Sequence, residues 1–505
     1  MAIIYILLAS VVLPLLLYLY FTRHFNYWKK RNVPGPKPVP LFGNLMESAL
    51  RKKNIGIVFK ELYENFPNEK VVGIYRMTTP CLLIRDQDVI KNIMIKDFDV
   101  FVDRGVELSK SGLGANLFHA DGDTWRVLRN RFTPLFTSGK LKNMLHLMIE
   151  RANKYIEHVE MLCDHQPEQD IHTLVQKYTM ATIAACAFGL DIDTTDPNKD
   201  QLKTSEEIDR LSLTANFAFE LDMMYPGVLK KLNSTLFPGF VSRFFKDVVK
   251  TIIEQRNGKP TDWNDFMDLI LALRQLGDIQ ATKRNSEDKE YSIELTDELI
   301  EAQAFVFYIA GYETSATTMT FMLYQLALNP DIQDKVIAEI DQGLKESKGE
   351  VTYEMLQNLT YFEKASNETL RMYSIVEPLQ RNAKIDCKIP DTDIVIEKGT
   401  TVLFSPLGIH HDEKYYPNPS KFDPERFSPA NISARHPCAH IPFGTGPRNC
   451  IGMRFAKIQS RVCMVKMFSK FRFELAKNTP RNLDIDPTRL LLGPKGGIPL
   501  KIVRR

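Results

Sequence analysis

One segment constrains this chain more than any other: a single cysteine in a glycine-rich loop that runs directly into a helical pattern. The loop, Phe-Gly-Thr-Gly-Pro-Arg-Asn-Cys-Ile-Gly, occupies residues 443–452 and places Cys450 two residues after Arg448. Glycine allows the backbone to approach the sulfur closely, and a helix N-terminus lowers the pKa of a thiol. The loop therefore predicts that the chemistry of the protein depends on Cys450.

Three interpretations fit the loop taken alone. A nucleophilic cysteine would need a general base within reach. A lone cysteine without a Cys-x-x-Cys partner excludes a tetrahedral zinc site and a cubane cluster, whereas one thiolate suffices for haem iron. The third interpretation is an inert, packed cysteine. We expect inert packing for the remaining six cysteines, which are Cys81, Cys163, Cys186, Cys387, Cys438 and Cys463.

The composition limits the class of protein. Of the 505 residues, 44% are hydrophobic and 25% are charged, as in a folded globular chain. The 65 basic and 62 acidic residues give a net charge of +3, so no electrostatic argument favours nucleic-acid binding. Seven cysteines are an odd number spread thinly, which argues against a disulfide framework and for a reducing compartment.

The N-terminus predicts a membrane address. Residues 2–22 carry no charge and, as a helix, would span roughly 30 Å, the thickness of the bilayer core. Basic residues follow this run, which places the rest of the chain in the cytosol by the positive-inside rule. A cleaved signal peptide is the alternative. We predict a transmembrane anchor over 1–22, a basic, Pro-rich hinge over 23–40 that acts as a stiff spacer, and one catalytic domain over 41–505. Aromatic residues expected at the membrane interface are Tyr18, Tyr20, Tyr27 and Trp28.

The body is predicted to be mainly α with a small β portion. Asn329-Pro330 should end a long helix that begins near Asp297. The other predicted elements are strands over 71–75 and 81–84, a helix over 353–373, short β segments around 385–396 and 401–404, a structureless Pro-rich stretch over 417–447, and a long helix just after Cys450.

The pattern F-x-x-G-x-R-x-C-x-G, formed by Phe443, Gly446, Arg448, Cys450 and Gly452, resembles the haem-binding loop of the cytochrome P-450 superfamily of haem-thiolate monooxygenases. The resemblance covers essentially the whole chain. It implies the cytochrome P-450 fold, with a large helical domain and a small β-rich N-terminal part. It also implies haem b (iron protoporphyrin IX) with Cys450 as the axial iron ligand, and insertion of one oxygen atom from O2 into lipophilic molecules.

A second motif, Glu-x-x-Arg, is formed by Glu368 and Arg371, which share one face of a predicted helix. Such pairs are common on protein surfaces. The Asp-Pro-Glu-Arg-Phe segment at 423–427 supplies Arg426. The resemblance implies that Glu368, Arg371 and Arg426 form a buried, structural charge network behind the haem.

A third motif, Ala-Gly-Tyr-Glu-Thr-Ser over 310–315, lies in the middle of the long helix. Taken alone, it is also compatible with an ordinary helix kink and a solvated Glu313. The resemblance implies that Thr314 hydrogen-bonds bound dioxygen and that Glu313 relays protons.

Trp125 and Arg129 are spaced i,i+4, so both can reach the same partner. The resemblance assigns this pair and Arg448 to the haem propionates, with Arg381 as a lesser candidate. Bidentate pairing of arginine with a carboxylate is the expected chemistry. His410 and His411 are interpreted as structural, since the haem takes one protein ligand in this family.

The resemblance also implies which segments face the substrate, in a pocket expected to be mostly apolar. Ordinary core packing is the alternative for each residue. The candidates are Phe118, His119, Phe305, Ala310, Val376 and Leu491, together with the region 217–225 and an apolar loop over 236–240 that would dip into the membrane.

The chain contains no flavin or nicotinamide fingerprint, so NADPH electrons must come through a separate protein. The resemblance names NADPH–cytochrome P-450 reductase, with cytochrome b5 as a second electron donor. The motif wording points to the insect microsomal members that oxidise plant toxins and insecticides, and hence to the endoplasmic reticulum membrane. Basic residues that could receive an acidic partner, or form a merely solvated face, are Arg126, Arg131, Lys140, Lys142, Arg435 and Lys457.

Three other functions compete with this prediction. A haem-thiolate isomerase or dehydratase would need no O2, and product formation without a reductase would identify it. A monooxygenase of endogenous hormones or lipids differs only in its substrate. A non-catalytic haem sensor would show no turnover that depends on O2 and NADPH.

Overall fold

The structure is a computed structural model that describes residues 2–106, 112–194, 228–231, 239–261, 263, 265–277, 279–280 and 292–505. The predicted substrate region 217–225 lies outside the described residues, as does most of the predicted apolar loop 236–240. Within these ranges the fold is mainly helical with small sheets, as predicted.

The helices of the described residues are α1 (Ala2–Thr22), α2 (Met46–Ala49), α3 (Ile55–Glu64), α4 (Gln87–Lys91), α5 (Gly122–Phe132), α6 (Ser138–His165), α7 (Ile171–Phe188), α8 (Val228–Lys231), α9 (Gly239–Gln255), α10 (Phe266–Gln275), α11 (Asp297–Leu328), α12 (Pro330–Glu346), α13 (Tyr353–Asn358), α14 (Thr360–Met372), α15 (Pro406–His410), α16 (Pro429–Ala434) and α17 (Met453–Phe468). The strands are β1 (Val71–Arg76), β2 (Thr79–Ile84), β3 (Glu168–Asp170), β4 (Ile279–Gln280), β5 (Ser292–Ile293), β6 (Leu379–Asn382), β7 (Cys387–Lys388), β8 (Val395–Ile396), β9 (Thr401–Phe404), β10 (Phe471–Leu475) and β11 (Pro499–Arg504).

The predicted long helix is α11, and its ends have clear local causes. The Thr296 hydroxyl caps the N-terminus by accepting the N–H of Leu299 at 3.2 Å. The helix ends at Leu328, before Asn329-Pro330, as predicted, because proline disfavours helical backbone in its preceding neighbour. Its 32 residues extend roughly 48 Å, enough to cross the whole body.

A four-stranded sheet with the order β1-β2-β9-β6 forms beside the helices. The predicted strands over 71–75 and 81–84 are confirmed as the antiparallel pair β1 and β2. Strand β9 runs parallel to β2 and antiparallel to β6, which pairs Arg381 with Val402. The sheet therefore fixes β6, the strand that carries Arg381 to the functional site.

Several predicted elements differ from the structure. The helix predicted over 353–373 is divided into α13 and α14, because Leu359 leaves helical geometry with ψ at 79°. The stretch 417–447, predicted to be structureless, contains α16 and two 3-10 turns, each with proline near its N-terminus, where proline suits a helix. The sheet β10-β11-β3 was not predicted, because β3 is short and its partners lie far away in sequence.

The segment 23–40, predicted to be a hinge that acts as a stiff spacer, packs against the body at Trp28 and Pro34. Trp28 is only 3% exposed, and its Nε1 donates to the carbonyl of Ile74 at 3.0 Å. The carbonyl of Pro34 accepts the N–H of Gly73 at 2.8 Å. Trp28 therefore belongs to the core of the β region and not to a membrane interface, because its indole fills space beside β1.

Helix α1 covers the uncharged run that suggested an anchor, and it contains Pro14. Its apolar side chains are exposed from Val11 to Tyr20. Among the residues that the structure describes, no helix combines the length and the apolar content needed to cross a membrane. The transmembrane anchor stays a prediction.

Candidate functional site

A large cavity lies between α11 and the cysteine loop. It holds about 1970 Å³ of empty space, part of which is open to solvent. Ala310, Gly311 and Thr314 of α11 line one part of it, and Phe443 and Cys450 of the loop line another. The cavity therefore brings together the motifs that lie at 310–315 and 443–452.

The cysteine loop has two glycines with left-handed backbone, Gly444 at φ +71° and Gly446 at φ +75°. The N–H of Cys450 donates to the carbonyl of Phe443 at 2.9 Å and closes the loop. A Cβ atom added at Gly446 would lie 1.9 Å from the carbonyl oxygen of Met94, so only glycine fits there. Gly446 itself does not line the cavity, whereas Phe443, Gly444 and Gly452 do.

The Cys450 side chain is exposed although protein surrounds it, because the thiol faces the cavity. Burial raises the pKa of this thiol, against the opposing effects of the Gly452 N–H, Arg129 and Arg104. None of the seven cysteines forms a disulfide.

The donor set at this site fits a haem. The described residues contain no cluster of three or more His, Cys, Asp or Glu side chains that could hold a metal ion. A metal bound at Cys450 would therefore have at most two ligands of these types among the described residues, which suits haem iron and not a tetrahedral zinc site.

Five arginines line the same cavity: Arg104, Arg129, Arg381, Arg448 and Arg461. Arg461 is paired with Glu363, and the other four form a cation cluster. Burial, reinforced by Arg448, lowers the pKa of Arg381 to about 9. Burial also lowers the pKa of Arg448 to about 10, although Asp121 opposes the shift. The Nε atoms of Arg381 and Arg448 are buried and have no hydrogen-bond partner among the described residues. Buried cations this close together are stabilised by anionic groups, and the two propionates of haem b would supply such groups.

Trp125 and Arg129 project from α5 into this cavity. Arg129 donates to the backbone carbonyl of Asn449 at 2.8 Å and to its side-chain oxygen at 2.9 Å. The Arg448 guanidinium lies 5.0 Å from the centroid of the Trp125 ring. Both residues of α5 therefore line the cavity, and Arg129 also holds Asn449, the residue before Cys450.

The two polar residues of the third motif point in different directions. Thr314 lines the cavity, and its hydroxyl donates to the carbonyl of Ala310 at 2.7 Å. Glu313 does not line the cavity, because adjacent residues on a helix are about 100° apart. Its carboxylate is buried against α7, where Gln176 Nε2 donates to it at 2.8 Å and His172 Nε2 lies 3.0 Å away.

The structure brings the Glu-x-x-Arg pair together with Arg426. Arg371 donates to the Glu368 carboxylate at 2.7 and 2.9 Å, and both side chains are completely buried. Arg426 Nε lies 3.4 Å from the same carboxylate, which also accepts the N–H of Asp423 at 2.9 Å. His410 offers its carbonyl to Arg371 and its Nε2 to the N–H of Ile441, consistent with a structural residue.

Half of the substrate candidates line the cavity, namely Phe118, Ala310 and Val376. His119 does not line it; its ring packs edge-on against Phe118. Phe305 packs on Phe245, with ring centroids 5.3 Å apart, and Leu491 packs on the helical core. His119, Phe305 and Leu491 therefore pack against other side chains and do not line the cavity, as the core-packing alternative predicts.

Arg104 is a site residue that the sequence prediction missed. Its guanidinium donates to the carbonyl of Phe118 at 2.6 Å and lies 3.9 Å from the centroid of the Phe118 ring. Burial, together with Arg448 and Arg381, lowers its pKa well below the ordinary value. Nothing in the local sequence Val-Asp-Arg-Gly distinguishes this arginine from a surface residue, so only its position in space identifies it.

Several of the basic residues predicted to face a redox partner have acidic neighbours in the structure. Lys457 donates to Glu363 at 2.6 Å, and Arg126 donates to Asp99 at 2.8 Å. Lys142 pairs with Glu354. These pairs reduce the net positive charge of that face.

The chain is similar to known proteins along almost its whole length. A family model described as Cytochrome P450 matches residues 33–500. Cytochrome P450 6B2 of Helicoverpa armigera is 61% identical over 494 residues, which cover 98% of this chain and 97% of that protein. Cytochrome P450 6B1 of Papilio polyxenes is 56% identical over 501 residues, 99% of this chain and 100% of that protein. Cytochrome P450 6a2 of Drosophila melanogaster is 37% identical over 521 residues, 99% of both chains.

Proposed function

We propose that this chain, which belongs to the cytochrome P450 family and is a haem monooxygenase, oxidises lipophilic xenobiotics such as plant toxins or insecticides. The observation that carries the proposal is the placement of the Cys450 thiol and the Thr314 hydroxyl on one cavity whose lining is largely apolar. An apolar cavity with a few polar groups suits a lipophilic substrate.

Haem b, when bound, supplies the activation of O2 at an iron atom whose thiolate ligand donates electron density. Cys450 would be that ligand. Arg129, Arg381 and Arg448 would hold the propionates, and Arg104 would join them because it belongs to the same cation cluster. Trp125 limits the space beside Arg448.

Thr314 is the residue that we propose holds a proton at the cavity surface. The Thr314 hydroxyl donates a hydrogen bond to the Ala310 carbonyl, which keeps the hydroxyl beside the cavity. A molecule that enters the cavity would compete with this carbonyl for the hydroxyl proton. The relay of protons by Glu313 remains part of the proposal. It requires the carboxylate to leave His172 and Gln176, since in the structure those residues hold it on the far side of α11.

The electrons come from NADPH through a separate reductase. We propose NADPH–cytochrome P-450 reductase as the partner and cytochrome b5 as a second donor. Arg131, Lys140 and Arg435 are the basic residues proposed to meet an acidic partner surface. Charge reversal at these three positions should slow the first electron transfer, and an unchanged rate in stopped-flow reduction would exclude this face.

We also propose that α1 anchors the protein in the endoplasmic reticulum membrane. The support is the run of 21 uncharged residues followed by basic ones. Deleting residues 2–22 should release the expressed protein from microsomes at high pH and high salt. Retention of the shortened chain in the membrane pellet would contradict an anchor at this position.

The test of the proposed function is spectroscopic. The reduced carbon monoxide complex should show a thiolate-type Soret band, and Cys450→Ala should abolish it. Binding of plant phenolics, furanocoumarins and insecticides should then be compared by difference spectra, with product formation dependent on O2, NADPH and reductase. A Cys450→Ala variant that retains the thiolate-type band, or product formed without reductase, would refute the assignment.

A further inference from the structure

The carboxylate of Glu313 contacts side chains from three parts of the chain: α7, α11 and the C-terminal turn over 486–492. It belongs to α11, it is 2% exposed, and it lies next to Thr314 in sequence. Its neighbours are His172 Nε2 at 3.0 Å, Gln176 Nε2 at 2.8 Å, Thr317 Oγ1 at 3.3 Å and Arg489 NH2 at 3.5 Å. Arg489 is the one neighbour that comes from the C-terminal turn over 486–492.

The interaction is that of an ionised carboxylate. Burial by itself would raise the pKa of Glu313, but His172, Arg489 and the amide of Gln176 outweigh burial and lower the pKa below its ordinary value. A buried carboxylate costs several kcal/mol unless cations and hydrogen-bond donors compensate it. Arg489 lies beside this carboxylate and is only 7% exposed. Because the buried charge of Glu313 is stable only with its partners in place, the ion pair also fixes the position of Arg489.

The turn that carries Arg489 continues to the wall of the cavity. The Asn54 amide donates to the carbonyls of Asp486 and Arg489, both at 3.1 Å, which holds the backbone of the turn. Three residues after Arg489, the N–H of Leu492 donates to the carbonyl of Ile375 at 2.9 Å. Ile375 and the following Val376 line the cavity.

We propose that Arg489 is a positioning residue that sets ligand selectivity without touching the ligand. Its ion pair with Glu313 fixes the turn 486–492 against α11. The Leu492–Ile375 hydrogen bond then fixes the wall formed by Ile375 and Val376 relative to Thr314. The inference rests on the proposed function, because it concerns the ligand space of the same haem cavity.

The test compares Arg489→Gln and Arg489→Lys in the haem-loaded, full-length protein. Spectral titrations with imidazole, a small ligand, and clotrimazole, a bulky one, report binding at the iron directly. Loss of the ion pair should weaken clotrimazole binding about tenfold and change imidazole binding less than about twofold, because only the bulky ligand reaches the Ile375–Val376 wall. Arg489→Lys keeps the charge and should recover part of the loss.

Arg85→Gln is the matched control. Arg85 is also 7% exposed, and it lies 3.7 Å from its own acid, Asp412, but it does not line the cavity. It should leave the ratio of the two binding constants unchanged. Equal weakening of both ligands by Arg489→Gln, or the same ratio change in Arg85→Gln, would overturn the proposal.

The outcome separates this inference from the proposed function. If wild-type protein lacks the thiolate-type carbon monoxide band, the haem assignment fails. If the band is present in wild type and in Arg489→Lys while the ligand ratio never changes, only the role of Arg489 fails. Glu313→Gln gives an independent check, since removing the charge of the partner should shift the ratio in the same direction.

Discussion

Gly446 shows how a single residue can decide whether the cysteine loop forms. Alanine at this position would place its Cβ 1.9 Å from the carbonyl oxygen of Met94, and the loop would have to move. Gly444 has almost the same backbone, φ +71° against +75°, but its added Cβ would meet nothing closer than 3.8 Å. The two glycines therefore separate the cost of a left-handed backbone from the cost of a clash.

We predict that Gly444→Ala and Gly446→Ala each lose about 1–2 kcal/mol from backbone strain, and that Gly446→Ala loses about 1–3 kcal/mol more from the clash. Haem content and the reduced carbon monoxide spectrum check this. Gly444→Ala should keep most of its thiolate-type band, whereas Gly446→Ala should lose most of it. Equal spectra for the two variants would contradict the argument.

At the same scale, the motifs located the site but not the direction of each side chain. Thr314 faces the cavity and Glu313 does not, although one motif contains both. Phe118 and His119 divide in the same way. A motif gives positions along the chain, but neighbouring side chains point to different sides of the backbone. Only the orientation of α11 in the structure distinguishes Thr314, which faces the cavity, from Glu313, which does not.

Among the elements, the contact of α14 with the segment 423–427 depends on one buried carboxylate. Glu368→Gln would leave Arg371 charged and fully buried, with only carbonyl acceptors such as His410 and Pro419. We predict a loss of about 3–5 kcal/mol in the free energy of unfolding, the usual cost of breaking a buried ion pair. Denaturant titration measures it.

A solvent-exposed ion pair between the same two elements is the control for this prediction. Lys364 on α14 donates to Glu425 at 2.9 Å, but the two side chains are 23% and 58% exposed. Lys364→Gln should therefore change the free energy of unfolding by about 0–1 kcal/mol. A comparable loss in both variants would mean that burial does not decide the strength of these pairs.

Element prediction succeeded where the signal is local and failed where it is not. Strands β1 and β2 are apolar runs separated by a turn, and α11 has a clear stop at Asn329-Pro330, so both could be predicted. Strand β3 has three residues of polar sequence, and only its pairing with β11 makes it a strand. The segment 23–40 looked like a spacer because its packing partner, β1, lies outside it in sequence.

For the molecule as a whole, buried histidines tie stability to pH. Burial lowers the pKa of His410 well below its ordinary value, and His440, His411 and Arg371 add to the effect. Burial also lowers the pKa of His440 to about 3. In the unfolded chain a histidine titrates near about pH 6.5. The stability from keeping these rings neutral is therefore fully present above about pH 6.5 and is lost as the pH falls toward 3.

We predict that below about pH 6.5 each of these histidines lowers the free energy of unfolding by about 1.4 kcal/mol per pH unit. His440→Gln should make the acid limb shallower by one such increment in denaturant titrations at several pH values. Phe427→Leu is the matched control, because the Phe427 ring packs 4.6 Å from His440 but carries no titrating group. It should lower stability at every pH without changing the slope, and a changed slope in that variant would contradict the assignment.

The pairing of β3 with β11 also determines how late in translation β3 can find its partner strand. Gln169 is paired with Leu500, so a ribosome must add 331 residues after Gln169, the last of them Leu500, before β3 meets its partner. At roughly 5–20 residues per second this takes roughly 17–66 seconds. For most of that interval the nascent chain contains both α6 and α7, while the strand between them has an unpaired edge. A chaperone that shields this edge during translation should therefore raise the yield of folded protein more than one added after release.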